Sequence, residues 1–247
     1  MKIAAIIPAR YSSSRFMGKP LALIAGKPMI QRVYLQASKC KQFSDVIVAT
    51  DDERIARVVE AFGGHAVLTS PRHGSGTERL WEVLENRDFD AAVNIQGDEP
   101  IVSEKLLTQV CRELESGLHD VVTAFYLNTS YDDYLSRNVV KVVMDQSFYA
   151  LYFSRASIPS VEKKDFSGFF QHIGLYGYLK SAVETFINFP ASPLEKKEKL
   201  EQLRFLENGI SIKVIRSRYR ALGVDVPEDI ERIEKILKEE NLREDDE

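Results

Sequence analysis

The residues best suited to chemistry come early in the chain. Pro8-Ala9-Arg10-Tyr11-Ser12-Ser13-Ser14-Arg15-Phe16-Met17-Gly18-Lys19-Pro20 carries three cations, three consecutive hydroxyls and a glycine directly after an apolar run. A triphosphate needs fixed positive charge, hydroxyl or backbone donors, and a chain able to approach it closely; this segment supplies each of them. It is not a Walker A loop, because Lys19 is followed by proline and no GxxxxGK(S/T) is present, and it is not a GxGxxG dinucleotide fingerprint. A solvated basic loop would have a similar composition.

Other clusters follow apolar runs in the same way. In Asn94-Ile95-Gln96-Gly97-Asp98-Glu99-Pro100, Asp98 is a carboxylate able to hold a hard cation beside phosphates, and Gln96 offers a donor and an acceptor to a sugar or base. The same Gly-Asp-Glu-Pro run also has the composition of a plain β-turn. Gly223-Val224-Asp225-Val226-Pro227-Glu228-Asp229 sets Asp225 before a terminal helix, where it serves either a metal or the helix N-terminus. Arg72-His73-Gly74-Ser75-Gly76-Thr77-Glu78-Arg79 feeds small residues into a helix start, which suits an anion or a nucleobase edge. Asp51 and Asp52 are expected to cap a helix. Further on, Phe153-Ser154-Arg155, Gln171-His172-Ile173-Gly174-Leu175-Tyr176 and Leu200-Glu201-Gln202-Leu203-Arg204 place polar groups near strands and on a helix. The four histidines lack mutual i,i+4 spacing, which argues against a histidine metal site.

The elements that must position these groups alternate. Apolar runs at 3–7, 46–49, 66–68, 91–95 and 121–125 read as strands, and amphipathic stretches at 29–38, 51–62, 78–85 and 104–114 read as helices. Continuous apolar strands, each followed by a helix, indicate a mostly parallel sheet covered on both faces, with ligands at the strands' carboxyl ends. The second half changes character: strands at 139–144, 149–154, 174–179 and 210–215, and helices at 182–189, 200–207 and 227–240, the last with Pro227 in its first turn. The expected fold is α/β, a mostly parallel mixed sheet flanked by helices, in one domain over 1–247 with a substrate-binding insertion.

A net charge of −4, from 33 basic and 37 acidic residues, excludes a global basic field, so no nucleic-acid partner is expected. Cys40 and Cys111 have no CxxC spacing and read as reduced, partly buried thiols. The first apolar run is too short to span a membrane and lacks a cleavage site, so a cytoplasmic location without membrane insertion is expected.

The motifs, in this order, resemble the 3-deoxy-manno-octulosonate (Kdo) cytidylyltransferases, or CMP-Kdo synthetases. The match runs from Ile6-Ile7-Pro8-Ala9-Arg10 through Ala49-Thr50-Asp51-Asp52, Ser75-Gly76-Thr77-Glu78-Arg79 and Gln96-Gly97-Asp98-Glu99-Pro100. It continues through Val140-Lys141-Val142-Val143, Tyr152-Phe153-Ser154-Arg155, His172-Ile173-Gly174, Leu200-Glu201-Gln202-Leu203-Arg204 and Gly223-Val224-Asp225. The resemblance implies a nucleotide-diphospho-sugar transferase (Rossmann-like) fold, a homodimer, and a reaction of CTP with Kdo that gives CMP-Kdo and pyrophosphate for lipopolysaccharide. On it, 1–130 would be a nucleotide-binding half, 131–220 a smaller sugar-acid-binding and dimerisation subregion, and 221–247 a metal-ligand loop with the terminal helix. It implies Pro8, Ala9, Arg10, Arg15, Lys19, Arg72, Ser75, Gly76 and Gln96 at the nucleotide. Gln96, Arg155, His172, Tyr176, Glu201 and Gln202 would face the sugar acid, and Asp98 and Asp225 would hold Mg2+. Lys19, Arg10, Arg15, Asp98 and Asp225 would be catalytic. The family's usual loop has a proline where this chain has Met17, a change expected to make the loop more mobile before substrate binds. Rival readings are a cytidylyltransferase for 8-amino-Kdo or sialic acid, and a nucleotide-binding regulator without catalysis.

Overall fold

Ile3–Ala9 (β1) is the strand around which the computed structural model is organised; residues 1–12 and 16–244 are described. After a tight turn at Lys19–Leu21 come the hairpin β2 (Leu23–Ile24) and β3 (Lys27–Pro28), α1 (Met29–Ser38), β4 (Phe43–Thr50), α2 (Glu53–Ala61) and β5 (His65–Leu68). Next are α3 (Gly76–Leu84), β6 (Ala91–Asn94), α4 (Glu104–Glu115), β7 (Val121–Asn128), α5 (Tyr131–Leu135), β8 (Lys141–Met144) and β9 (Ala150–Ser154). The remainder is β10 (Phe169–Leu179), α6 (Lys180–Asn188), α7 (Pro193–Glu198), α8 (Leu203–Glu207), β11 (Ile212–Arg216) and α9 (Asp229–Glu244).

The main sheet runs β11-β7-β10-β6-β1-β4-β5, with β8 paired to β10 and β9 to β8. β1, β4, β5 and β6 are mutually parallel, β11 is parallel to β7, and β10 runs antiparallel between β6 and β7. The mostly parallel mixed sheet expected from the sequence is therefore present. Strand alternation divides the core cleanly. Ile3, Ala5 and Ile7 pack with Val33 of α1, Val59 of α2 and Val110 of α4, whereas Ala4 and Ile6 pack with Leu80 of α3 and Phe186 of α6 on the other face. A separate cluster of Ile24, Met29, Val224 and Ile233 clamps α9 onto the β2–β3 hairpin. Ala25 N–H adds a hydrogen bond to Glu234 Oε1 at 2.7 Å.

Several expectations change. The helix expected at 200–207 forms only from Leu203, and α5 and α7, each shorter than two helical turns, show no helical period in the sequence. The terminal helix begins at Asp229, so Pro227 precedes it; Asp229 turns its carboxylate back to the Asp225 and Val226 amides at 2.8 and 3.2 Å. Cys40 and Cys111 are free but fully rather than partly buried. Asp52 caps α2 through the Arg54 amide, but Asp51 does not cap; it pairs at 2.8 Å with Arg79, whose side chain is entirely buried in α3. Arg79 also donates to Thr69 Oγ1, so one guanidinium ties α3 to the segments leaving β4 and β5. Removing one partner of such a pair leaves an uncompensated charge. Arg79→Met should cost about 3 kcal/mol in urea unfolding; a loss under about 1 kcal/mol would mean that the pair is not structural.

Candidate active site

The loop after β1 and the turn after β6 meet because their strands are hydrogen-bonded neighbours, with Ile6 opposite Asn94. The contact is tight: a Cβ on Gly97 would lie 2.7 Å from the Pro8 carbonyl oxygen, so glycine is needed there for close approach. Pro8, Ala9, Arg10, Lys19, Gln96 and Asp98 line a recess of about 170 Å³ at the carboxyl ends of the strands. Lys19 Nζ donates to Asp98 Oδ2 at 2.5 Å and to the Val224 carbonyl at 2.9 Å. The Val224 amide donates in turn to the Asp98 carbonyl at 2.9 Å, which seats Asp225 one residue from that turn. Asp225 itself is exposed. Gly18, at φ 72°, makes the turn that delivers Lys19. Arg10 donates to the His73 carbonyl at 2.5 Å, linking the loop to the segment before α3. Burial, then the charge of Asp98, pushes the neighbouring Glu99 carboxyl up to about 8.

Beside the recess lies a cleft of about 720 Å³ that Gln96 also lines. Its floor is β10, where the register to β7 slips between Ile173 and Tyr176. Such a bulge re-aims groups that a regular ladder would consume. The Gly174 carbonyl turns to Gln96 Nε2 at 2.9 Å, and the Thr123 hydroxyl donates to the Leu175 carbonyl at 2.8 Å. That leaves Thr123 Oγ1 to accept from His172 Nε2 at 3.0 Å. Burial lowers the His172 pKa to about 3, so the ring is neutral. His172, Tyr176, Tyr178, Phe205 and Phe186 form a continuous row of ring contacts behind the cleft.

Polar atoms are stranded on that row's cleft side. Tyr176 Oη, Glu201 Oε2, Gln202 Nε2 and, below Gly76, Asn94 Oδ1 are buried with no hydrogen-bond partner among the described residues. Each costs about 1–3 kcal/mol unless something bonds to it, and three of them line one cleft. Glu201 keeps one bond, from Thr77 Oγ1 at 3.0 Å, and burial raises its pKa above the usual carboxylate range. The guanidinium of Arg155 is held by the carbonyls of Glu198 and Arg137 at 2.9 and 3.2 Å, so no side-chain carboxylate among the described residues neutralises it. Many hydroxyl-seeking atoms with one unneutralised arginine make a cavity for a polyhydroxylated acid.

The expected residues thus divide between two adjoining cavities. Pro8, Ala9, Arg10, Lys19 and Asp98 line the recess; Ser75, Gly76, Arg155, His172, Tyr176, Glu201 and Gln202 line the cleft; Gln96 lines both. Arg72 and Asp225 are exposed and line neither cavity, and Arg15 lies outside the described residues. The sequence did not single out Asn138, Lys196 or Lys199, which also line the cleft. They belong to loops and a short helix with no periodic signal.

Apart from Val224 and Asp225, the residues that meet here fall within a match to the cytidylyltransferase family model over residues 4–215, well over half of the chain. A 3-deoxy-manno-octulosonate cytidylyltransferase from Syntrophotalea carbinolica is 47% identical over 250 residues, covering 96% of this chain and 99% of that protein. The same enzyme from Thermodesulfovibrio yellowstonii is 43% identical over 246 residues, covering 94% and 96%. The chain belongs to the 3-deoxy-manno-octulosonate cytidylyltransferase family. A solved CMP:2-keto-3-deoxy-manno-octonic acid synthetase in complex with CTP superposes with a TM-score of 0.92 at 37% identity, covering 97% of this chain and all of that one. A 4-diphosphocytidyl-2C-methyl-D-erythritol synthase from Anaerococcus prevotii, at 16% identity and a TM-score of 0.60, covers 96% of this chain and 98% of that one and shows the fold alone. Among the described residues no helix is long and apolar enough to cross a membrane.

Two outcomes test this geometry. Gly97→Ala must move the Asp98 turn or the Pro8 strand end, and should lower turnover by about 10- to 100-fold; unchanged kinetics would show that the approach is not needed. The native His172 stays neutral while the unfolded one protonates below about 6.5, so the unfolded state binds the extra proton between there and about 3. Stability is therefore lost as pH falls through that window, and His172→Gln should flatten this loss in acid-unfolding curves. Parallel curves for the two proteins would place the imidazole in water.

Proposed function

We propose that this chain transfers CMP from CTP to the anomeric hydroxyl of Kdo, releasing pyrophosphate. The observation that carries the proposal is Gln96, shared by a small recess rimmed with Lys19, Arg10 and Asp98 and by a larger cleft rimmed with Arg155 and stranded polar atoms. A nucleoside triphosphate in the first and a polyhydroxylated acid in the second would meet at that side chain. The new bond forms between the sugar hydroxyl oxygen and the α-phosphorus, the bond from the α-phosphorus to the β-phosphate's bridging oxygen breaks, and the hydroxyl proton passes to solvent.

The roles follow from charge. Lys19 and Arg10 would stabilise the negative charge that grows on the leaving pyrophosphate, with Arg15 of the same loop as a further cation. Arg155 would pair with the sugar carboxylate, while neutral His172, Tyr176, Glu201 and Gln202 would bond its hydroxyls. Ser75 and Gly76, at the N-terminus of α3, line the cleft beside Gln96, so the nucleoside end would reach past Gln96 to them while the triphosphate stays in the recess; Ser75 already caps the helix.

Asp98 and Asp225 are the donors for a divalent cation. Among the described residues no cluster of three His, Cys, Asp or Glu side chains is set to hold a metal. Two carboxylates on neighbouring segments, without histidine or thiolate, suit an ion that takes its other ligands from phosphates and water, as magnesium does. When bound, magnesium would neutralise phosphate charge and acidify the attacking hydroxyl. We further read the chain as a cytoplasmic homodimer of one domain, with residues 131–220 contributing the sugar site and the subunit contact.

Purified protein incubated with CTP, Mg2+ and Kdo should release pyrophosphate, and chelation should abolish the release until magnesium is restored. Release from 8-amino-Kdo or sialic acid but not from Kdo would transfer the assignment to that acid, and CTP binding without release from any acid would support a regulator. Asp98→Asn should lower turnover by about 100-fold or more, with a melting temperature within a few degrees of the parent. Equal losses of activity and stability would make that turn structural.

A further inference from the structure

Lys141, the first residue of β8, is fully buried, and no carboxylate among the described residues forms a salt bridge with it. Its ammonium instead donates to three carbonyls: Ser136 at 2.6 Å, Val139 at 2.9 Å and Arg155 at 3.1 Å. Three donors meet three acceptors, so the group is satisfied, but a buried cation that no described carboxylate bonds, with Asp133 and Glu198 acting on it only from a distance, is an expensive way to fill space. Burial, reinforced by the nearby charge of Arg155, lowers its pKa below that of an ordinary lysine. A methionine of similar length would pack there without that cost, so the ammonium needs another reason.

Its carbonyl partners supply one. Ser136 and Val139 belong to the loop between α5 and β8, and Arg155 follows β9; Asn138, Val139, Val140 and Arg155 all line the cleft. The loop also supplies the Arg137 carbonyl that holds the Arg155 guanidinium. Lys141 therefore fixes Arg155 twice: directly at its backbone, and indirectly through the loop that steadies its side chain. Its three bonds go to Ser136, Val139 and Arg155, none of which is among the described residues that line the recess of Lys19 and Asp98.

We infer that Lys141 is a positioning residue for the acid substrate: its ammonium holds the 136–140 wall in place and thereby aims Arg155 at the substrate carboxylate. This rests on the proposed reaction and deepens it by separating recognition of the acid from recognition of the nucleotide.

Lys141→Met tests it with Kdo and CTP varied separately, beside direct CTP binding and thermal melting. The expected result is a rise of about 10-fold or more in KM for Kdo, with KM and Kd for CTP within about 2-fold of the parent. A parallel rise in both KM values, or no rise in either, overturns the inference and leaves Lys141 as packing. Should that variant fail to fold, Ser136→Gly loosens one of the held carbonyls without removing a charge or a cleft-lining side chain. It should raise KM for Kdo alone by about 3- to 10-fold, and an unchanged value overturns the inference. Parent enzyme assayed in parallel keeps the two ideas apart: no pyrophosphate release from the parent sinks the reaction, whereas release with an unchanged Kdo KM in the variant sinks the positioning role. Independently of turnover, amide exchange across residues 136–140 should quicken in Lys141→Met, and unaltered exchange also overturns it.

Discussion

One ammonium group joins the three parts of the chain on which the recess depends. Lys19 bonds a carboxylate that follows β6 and a carbonyl from the segment before α9, while its own backbone belongs to the loop after β1. A point charge with three donors can satisfy partners in several directions at once, which suits lysine better than the planar fork of arginine. The arrangement is affordable because the neighbouring strands are parallel, so their carboxyl ends open on the same edge. It is narrow because Gly97 lets the Asp98 turn approach the Pro8 carbonyl.

The adjoining cleft is built on a different principle. β10 runs against its neighbours, and its bulge diverts the Gly174 and Leu175 carbonyls to Gln96 and Thr123. Behind it the ring row gives a rigid apolar backing. In front, Tyr176, Glu201 and Gln202 each leave a buried polar atom unpaired. Each such atom weakens the free protein. The same atoms let a ligand that bonds all of them be distinguished from one that lacks a hydroxyl, since a missing partner forfeits the full desolvation cost.

Much of the first half was legible because its strands and helices repeat with clean periods and its polar motifs follow strand ends. Asp98, Lys19 and Gln96 could be singled out on chemical grounds, and the sugar-side residues only through family resemblance. What stayed hidden was non-local or non-periodic. Arg79 looks like any helix arginine until its partner Asp51 arrives from another strand end. Lys141 is a lone charge in the apolar run Val139 to Met144, and nothing in its type tells that it is wholly buried. The α7 turn has its signal in Ser192 and Glu195, which form a reciprocal cap, but six residues are too few to show a helical period. The slip in β10 leaves no trace in composition, because a register is a property of two strands.

The cluster of Ile24, Met29, Val224 and Ile233 has a consequence for when the protein can become competent. The lysine and the carbonyl it grips lie 205 residues apart in sequence. Because a chain is made from its N-terminus, the loop that carries Lys19 is made before the turn that carries Asp98, and that turn before Val224 and Asp225. A nascent chain can therefore pair β1 with β4 and β6 and form the Lys19–Asp98 contact, yet the Val224 carbonyl that Lys19 also grips is not there to accept. Synthesis order thus becomes assembly order: the recess begun at β1 is completed only when α9 docks on the β2–β3 hairpin.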